Sequence, residues 1–106
     1  MKELQKTFSD TLKIIESFTK TSIENADRRI EANRREIEES KGVVDGLKER
    51  AAQGNITAQE SIKAEKVKQD KLQSDIQSLE KERARLLLIT TTLQQAQLFL
   101  EQGKVN

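Results

Sequence analysis

The stretch Gln53-Gly54-Asn55-Ile56-Thr57-Ala58-Gln59-Glu60 decides how this chain folds, because one long helical pattern can stop there and another begin. Glycine reaches the left-handed backbone conformation that closes a helix, so Gly54 predicts a helix end. Thr57, with Glu60 three residues later, has the form of a capping box. The threonine hydroxyl accepts from the Glu60 amide while the carboxylate reaches back to the Thr57 amide. A reversal here leaves nearly equal arms: helix 1 over about residues 2–53, a turn at about 54–57 and helix 2 over about 58–102. Each arm spans roughly 75 Å at about 1.5 Å per residue.

Outward from the turn, the pattern on both sides is a seven-residue repeat. In the second arm Leu72, Leu79, Leu86, Leu93 and Leu100 form a ladder, with Ile62, Gln69, Ile76, Arg83, Thr90 and Gln97 at the companion position. In the first arm Ile23, Ile30, Ile37, Val44 and Ala51 repeat, with Ala26, Asn33, Ser40 and Leu47 beside them. Two apolar positions per heptad make a narrow seam, and its polar members, Asn33 and Arg83 among them, fix register. Before Ile23 the apolar residues Leu4, Phe8, Leu12, Ile15 and Phe18 follow a three-to-four spacing, which reads as a slip of the heptad phase. Gly42-Val43-Val44-Asp45-Gly46 offers a rival turn, but one there leaves unequal arms and spoils the Ile37–Val44–Ala51 repeat. A kink or a close helix approach at the two glycines is the better reading. The expected fold is all-α, an antiparallel two-helix coiled-coil hairpin forming one domain over 1–106 and associating into a four-helix bundle.

Composition supports the same class. Of 106 residues, 34% are hydrophobic, 3% aromatic and 35% charged, with no proline, so a globular core lacks material while a thin helical seam does not. The heptads argue against disorder. Basic and acidic residues number 19 and 18 and are interspersed, so no single-sign field recruits nucleic acid. With no cysteine and no histidine, the usual metal and nucleophile sets are missing; no cofactor is expected, and the chain reads as a non-enzyme. Gly54-Asn55-Ile56-Thr57-x-x-Glu60 resembles the second half of a calcium-binding EF-hand loop, but Ala51 falls at a ligand position and cannot coordinate. The same residues are similar to the turn of small bacterial helical-hairpin modules, a likeness that implies geometry alone. Arg28-Arg29 and Arg34-Arg35 sit among acidic residues off the seam and read as a solvated face, with Glu31 and Arg35 spaced for a helix-surface pair.

Folding about the turn brings Leu4, Phe8, Leu12, Ile15 and Phe18 beside Leu86 to Leu100, which gathers Phe8, Phe18 and Phe99 at the end opposite the turn. A two-helix contact hides only its seam. The expected interface is therefore Leu4, Phe8, Leu12, Ile14, Ile15, Phe18, Leu87, Leu88, Ile89, Leu93, Leu98 and Phe99, an apolar surface that needs a partner. The partner expected is protein, either a second copy forming a dimer or another helical protein, in an adaptor or scaffold role. The alternative is a membrane-active or exported helical protein, such as a pore-forming-toxin component. Lysines alternate with acids here and tryptophan is absent, which weakens the case for a membrane surface. Small exported helical hairpins of the WXG type are similar in length, although Asp45-Gly46-Leu47 replaces their Trp-x-Gly. The opening Met1-Lys2-Glu3-Leu4 lacks a signal-peptide pattern, so a cytoplasmic location is expected, with signal-less export also compatible.

Overall fold

The computed structural model describes residues 2–103, which form two α-helices, α1 (Lys2–Ala52) and α2 (Ile56–Gly103), joined by Gln53-Gly54-Asn55. Helix-favouring residues and the lack of proline let both run without a break. Packing divides the chain into a turn unit, residues 28–80, and a terminal unit, residues 2–27 and 81–103 of those described. The expected single domain over 1–106 extends to Met1 and residues 104–106, outside the described residues.

In the turn unit the helices form a hairpin whose reversal is written in backbone hydrogen bonds. Gly54 has φ +90°, its amide donates to the Ala51 carbonyl, and the Asn55 amide donates to the Arg50 carbonyl. This pair of bonds is a Schellman closure, with glycine at the left-handed position. Gln59 Nε2 reaches back to the same Ala51 carbonyl at 3.0 Å and gives it a second donor. Helix α2 starts at Ile56, earlier than the expected start near residue 58, and its cap is Asn55 in place of Thr57. Asn55 Oδ1 accepts from the Ala58 amide at 3.0 Å, and the Asn55 carbonyl accepts from the Gln59 amide. Thr57 and Glu60 thus lie inside α2 instead of forming a capping box before it. Asparagine caps as well as threonine does, and a Schellman closure ending at Asn55 leaves it already in the capping position.

The buried stripe follows the heptads. Let Ile23 mark position a, so that Ala26 is d; in α2, Ile76 is a and Leu79 is d. Within the turn unit Ile30, Ile37, Ser40 and Val44 are buried on α1 and Ala58, Ile76 and Leu79 on α2, all at a or d. Ile30, Ile37, Ile76 and Leu79 form the core cluster with Leu72 packed against it. The flanking positions confirm the antiparallel sense. Arg34 and Glu80, both at e, pair at 3.1 Å, and Glu36 and Lys68, both at g, lie 4.0 Å apart. Like-lettered flanks meet only when the helices run in opposite directions. These side chains are half exposed, so the pairs specify orientation more than they stabilise.

One seam layer is polar throughout. The Ser40 hydroxyl donates to Glu65 Oε2, and Gln69 Nε2 donates to Ser40 Oγ at 3.0 Å. A slip of either helix by one turn separates these groups and leaves them without partners, so the layer holds the register.

Gly42 and Gly46 lie within unbroken α1, and nothing comes within 4 Å of a Cβ built on either, so no helix approaches them closely. Both sit at positions f and c, away from the seam. Gly42→Ala and Gly46→Ala each raise stability by about 0.5–1 kcal/mol, because alanine restricts the unfolded chain and fits the helix. Gly54→Ala also has open space for its methyl group, yet its positive φ makes it cost about 1–2 kcal/mol. Urea unfolding midpoints followed by circular dichroism measure the opposite signs; a Gly54→Ala protein as stable as the parent contradicts this turn.

Candidate docking surface

In the terminal unit the heptad phase does not slip. Counting back by sevens from Ile23 and Ala26 leads to Glu16 and Ser9 at a and to Thr19 and Leu12 at d, and these are the residues that turn inward: Leu12 and Thr19 are buried, Ser9 and Glu16 half-buried. Opposite them Leu93 is buried and Arg83, Leu86, Thr90, Gln97 and Leu100 are half-buried. The seam tolerates Glu16, Thr19, Arg83 and Gln97 because each of them finds a partner. Gln97 Nε2 donates to Glu16 Oε2 at 3.0 Å, the Thr19 hydroxyl to the Ile15 carbonyl at 2.8 Å, and Arg83 Nε to Asp27 Oδ1.

This phase places the apolar residues of α1 elsewhere than expected. Leu4, Phe8, Ile15 and Phe18 are exposed and fall at c, g, g and c, so they form a second stripe alongside the seam. In α2, Ile89 and Phe99 take g and c, and because g flanks g in this pairing, they extend the same side of the unit. Phe18 and Phe99 are the most open of them, at 73% and 75% exposure.

The twelve residues expected to form one interface therefore separate. Leu12 and Leu93 are buried in the seam, at 6% and 8% exposure, and contribute to the hairpin instead of to an outer surface. Leu4, Phe8, Ile15, Phe18, Ile89 and Phe99 share the g and c side. Leu87 and Leu98 fall at e and b on the other side, and Ile14 and Leu88 at f on the outer backs of their helices. All ten outside the seam are exposed. Sequence reasoning took Ile15 and Phe18 for seam residues because they are apolar; carrying the sevens back through Glu16 and Thr19 was the signal that separates seam from stripe.

Charge sharpens the contrast between sides. From Leu4 to Asn25 no c or g residue of α1 is charged, and from Ile89 to Gly103 none of α2 is. The e positions of α1, in contrast, hold Lys6, Lys13, Lys20 and Asp27. Between Arg85 and Glu101 the chain carries no charge on any face. Its threonines are also quiet: the hydroxyls of Thr90, Thr91 and Thr92 donate to the carbonyls of Leu86, Leu87 and Leu88 at 2.9–3.1 Å, and Thr11 donates to Thr7 at 2.9 Å. A back-bonded threonine has its hydroxyl donor satisfied within its own helix, which lowers the desolvation cost of covering this surface.

The remaining features are less specific. A cleft of about 870 Å³ between the helix ends is walled by Lys2, Lys6, Lys13, Asp10 and Glu101. It opens where the seam positions are Lys2, Gln5 and Ser9, which supply no apolar contact to close it. Among the described residues no group of three or more acidic, histidine or cysteine side chains could hold a metal ion, and no helix is long and apolar enough to cross a membrane. Arg34 and Arg35 pair with Glu80 and Glu31. Comparison with protein-family models, with characterised proteins and with solved structures gives no match for this chain.

Proposed function

We propose that this chain is a non-enzymatic helical interaction module of the cytoplasm, an adaptor or scaffold element that docks a helical protein surface through its terminal unit. One observation carries the reading: ten large apolar side chains of that unit stand exposed, outside the seam that joins its helices. The turn unit exposes only Val43, Ile56 and Val67 among its large apolar residues, and these are scattered singly, as on most proteins. A concentrated apolar surface with internally satisfied threonines fits another helix face, which supplies apolar side chains and no unpaired backbone groups.

Capture from extract of the native host tests the reading, with wild type compared against the double variant Phe18→Glu/Phe99→Glu. The expected result is a protein, a second copy of this chain included, that is retained by the wild type and lost by the variant. Identical captured sets for the two proteins contradict the docking role. Vesicles of anionic or neutral lipid at low salt are expected to leave the chain in the supernatant; co-sedimentation that depends on Phe18 and Phe99 moves the partner from protein to lipid.

A further inference from the structure

We infer that the side formed by Leu4, Phe8, Ile15, Phe18, Ile89 and Phe99 seats a second copy of this chain, face to face about a twofold axis. The inference rests on the docking reading above and adds to it the occupant and the side.

Area is the first argument. Weighted by their exposures, with about 200 Å² for a whole phenylalanine and somewhat less for leucine or isoleucine, these six side chains offer roughly 650 Å² per copy. A stable interface of ordinary size takes about 800 Å² from each partner, and Thr11, Thr92 and Ala96 on the same side supply the remainder. Those three small residues lie between the large ones along their helices, so each surface offers both knobs and hollows to its copy. Two helices from each chain then meet as a four-helix bundle, the arrangement that buries such stripes most completely.

Charge is the second. A twofold contact presents one surface to a copy of itself, so a patch of a single charge sign meets a patch of the same sign. Across residues 4–25 of α1 and 89–103 of α2 the g and c side has no charge to repel, and a foreign partner chosen by charge has nothing there to recognise. On the opposite side the e and b positions of α1 carry Lys6, Lys13 and Lys20 beside Glu3, Asp10 and Glu24, charges that a copy docked there would have to desolvate. The g and c side is thus the one that a copy can cover with the least desolvation of charge.

The lack of cysteine makes the test clean, because a single introduced thiol reports a single position. Thr91 and Thr92 are adjacent, both exposed and both back-bonded, but Thr91 falls at b and Thr92 at c. Maleimide labelling rates of Thr91→Cys and Thr92→Cys are measured over a dilution series while light scattering reports mass. The expected result is twice the chain mass at high concentration, with Thr92→Cys labelling slowed at least tenfold on pairing and Thr91→Cys changed less than twofold. A monomer mass at every concentration overturns the inference, as does a dimer that protects Thr91→Cys and leaves Thr92→Cys open. A monomer that still captures another protein through Phe18 and Phe99 removes self-pairing and keeps the docking role. A monomer whose capture ignores those residues removes both.

Discussion

Ile76→Ala is expected to lower the stability of this protein by about 2–4 kcal/mol, a fall of roughly 9–18 °C in Tm for a chain near 100 residues. Ile76 is the most deeply buried apolar residue of the structure, at 2% exposure, and it sits among Ile30, Ile37, Leu79 and Leu72. A two-helix seam is one layer deep, so no second shell of core exists to close the cavity. The helices can draw together only by displacing the neighbouring layers, which are tied by the Arg34–Glu80 pair on one side and by the Ser40–Glu65–Gln69 layer further along. Val67→Ala is the control: Val67 is exposed, and its truncation changes stability by no more than about 0.5 kcal/mol. Thermal unfolding by circular dichroism measures both, and equal shifts would mean that the seam is not what holds the helices.

The double variant Phe18→Glu/Phe99→Glu has the opposite profile, a large loss of association with folding left intact. Neither ring packs into the hairpin seam, so helicity and unfolding midpoint of the dilute protein stay near wild type. On docking, each exposed phenylalanine contributes about 1.5–3 kcal/mol when covered, and a glutamate in its place brings a charge into a surface with no cation to answer it. Together these weaken association at least about 100-fold, equivalent to about 2.8 kcal/mol or more. Sedimentation equilibrium of wild type and variant reads the change. Unaltered self-association in the variant would place the contact elsewhere on the chain.

The hairpin was legible because its two codes are local. A heptad of Ile30, Ile37, Leu72, Ile76 and Leu79 specifies which stripe is buried, and Gly54 specifies where a left-handed residue can end α1. The cap was harder: Asn55 and Thr57 are both competent, and the choice depends on how few residues the Schellman closure needs before the chain points back. The docking surface was half legible. Its apolar content is plain in Leu86 to Leu100, but its division into sides depends on the seam phase, and Glu16, Thr19 and Gln97 disguise that phase by being polar. They can be polar because Glu16 and Gln97 answer each other and Thr19 answers its own helix, and such pairings exist only in three dimensions. Reading Ile15 and Phe18 as seam made a lateral stripe look like a slipped core.

Hydroxyl-radical footprinting tests the claim that this stripe is covered when the protein works. Oxidation of Phe8, Phe18 and Phe99 is compared with that of Ile56 and Val67, first in dilute purified protein and then at the concentration or in the complex where association is complete. The three phenylalanines are expected to become several-fold protected on association while Ile56 and Val67 keep their rates. Protection of Ile56 and Val67 with the phenylalanines still fully reactive would contradict that claim.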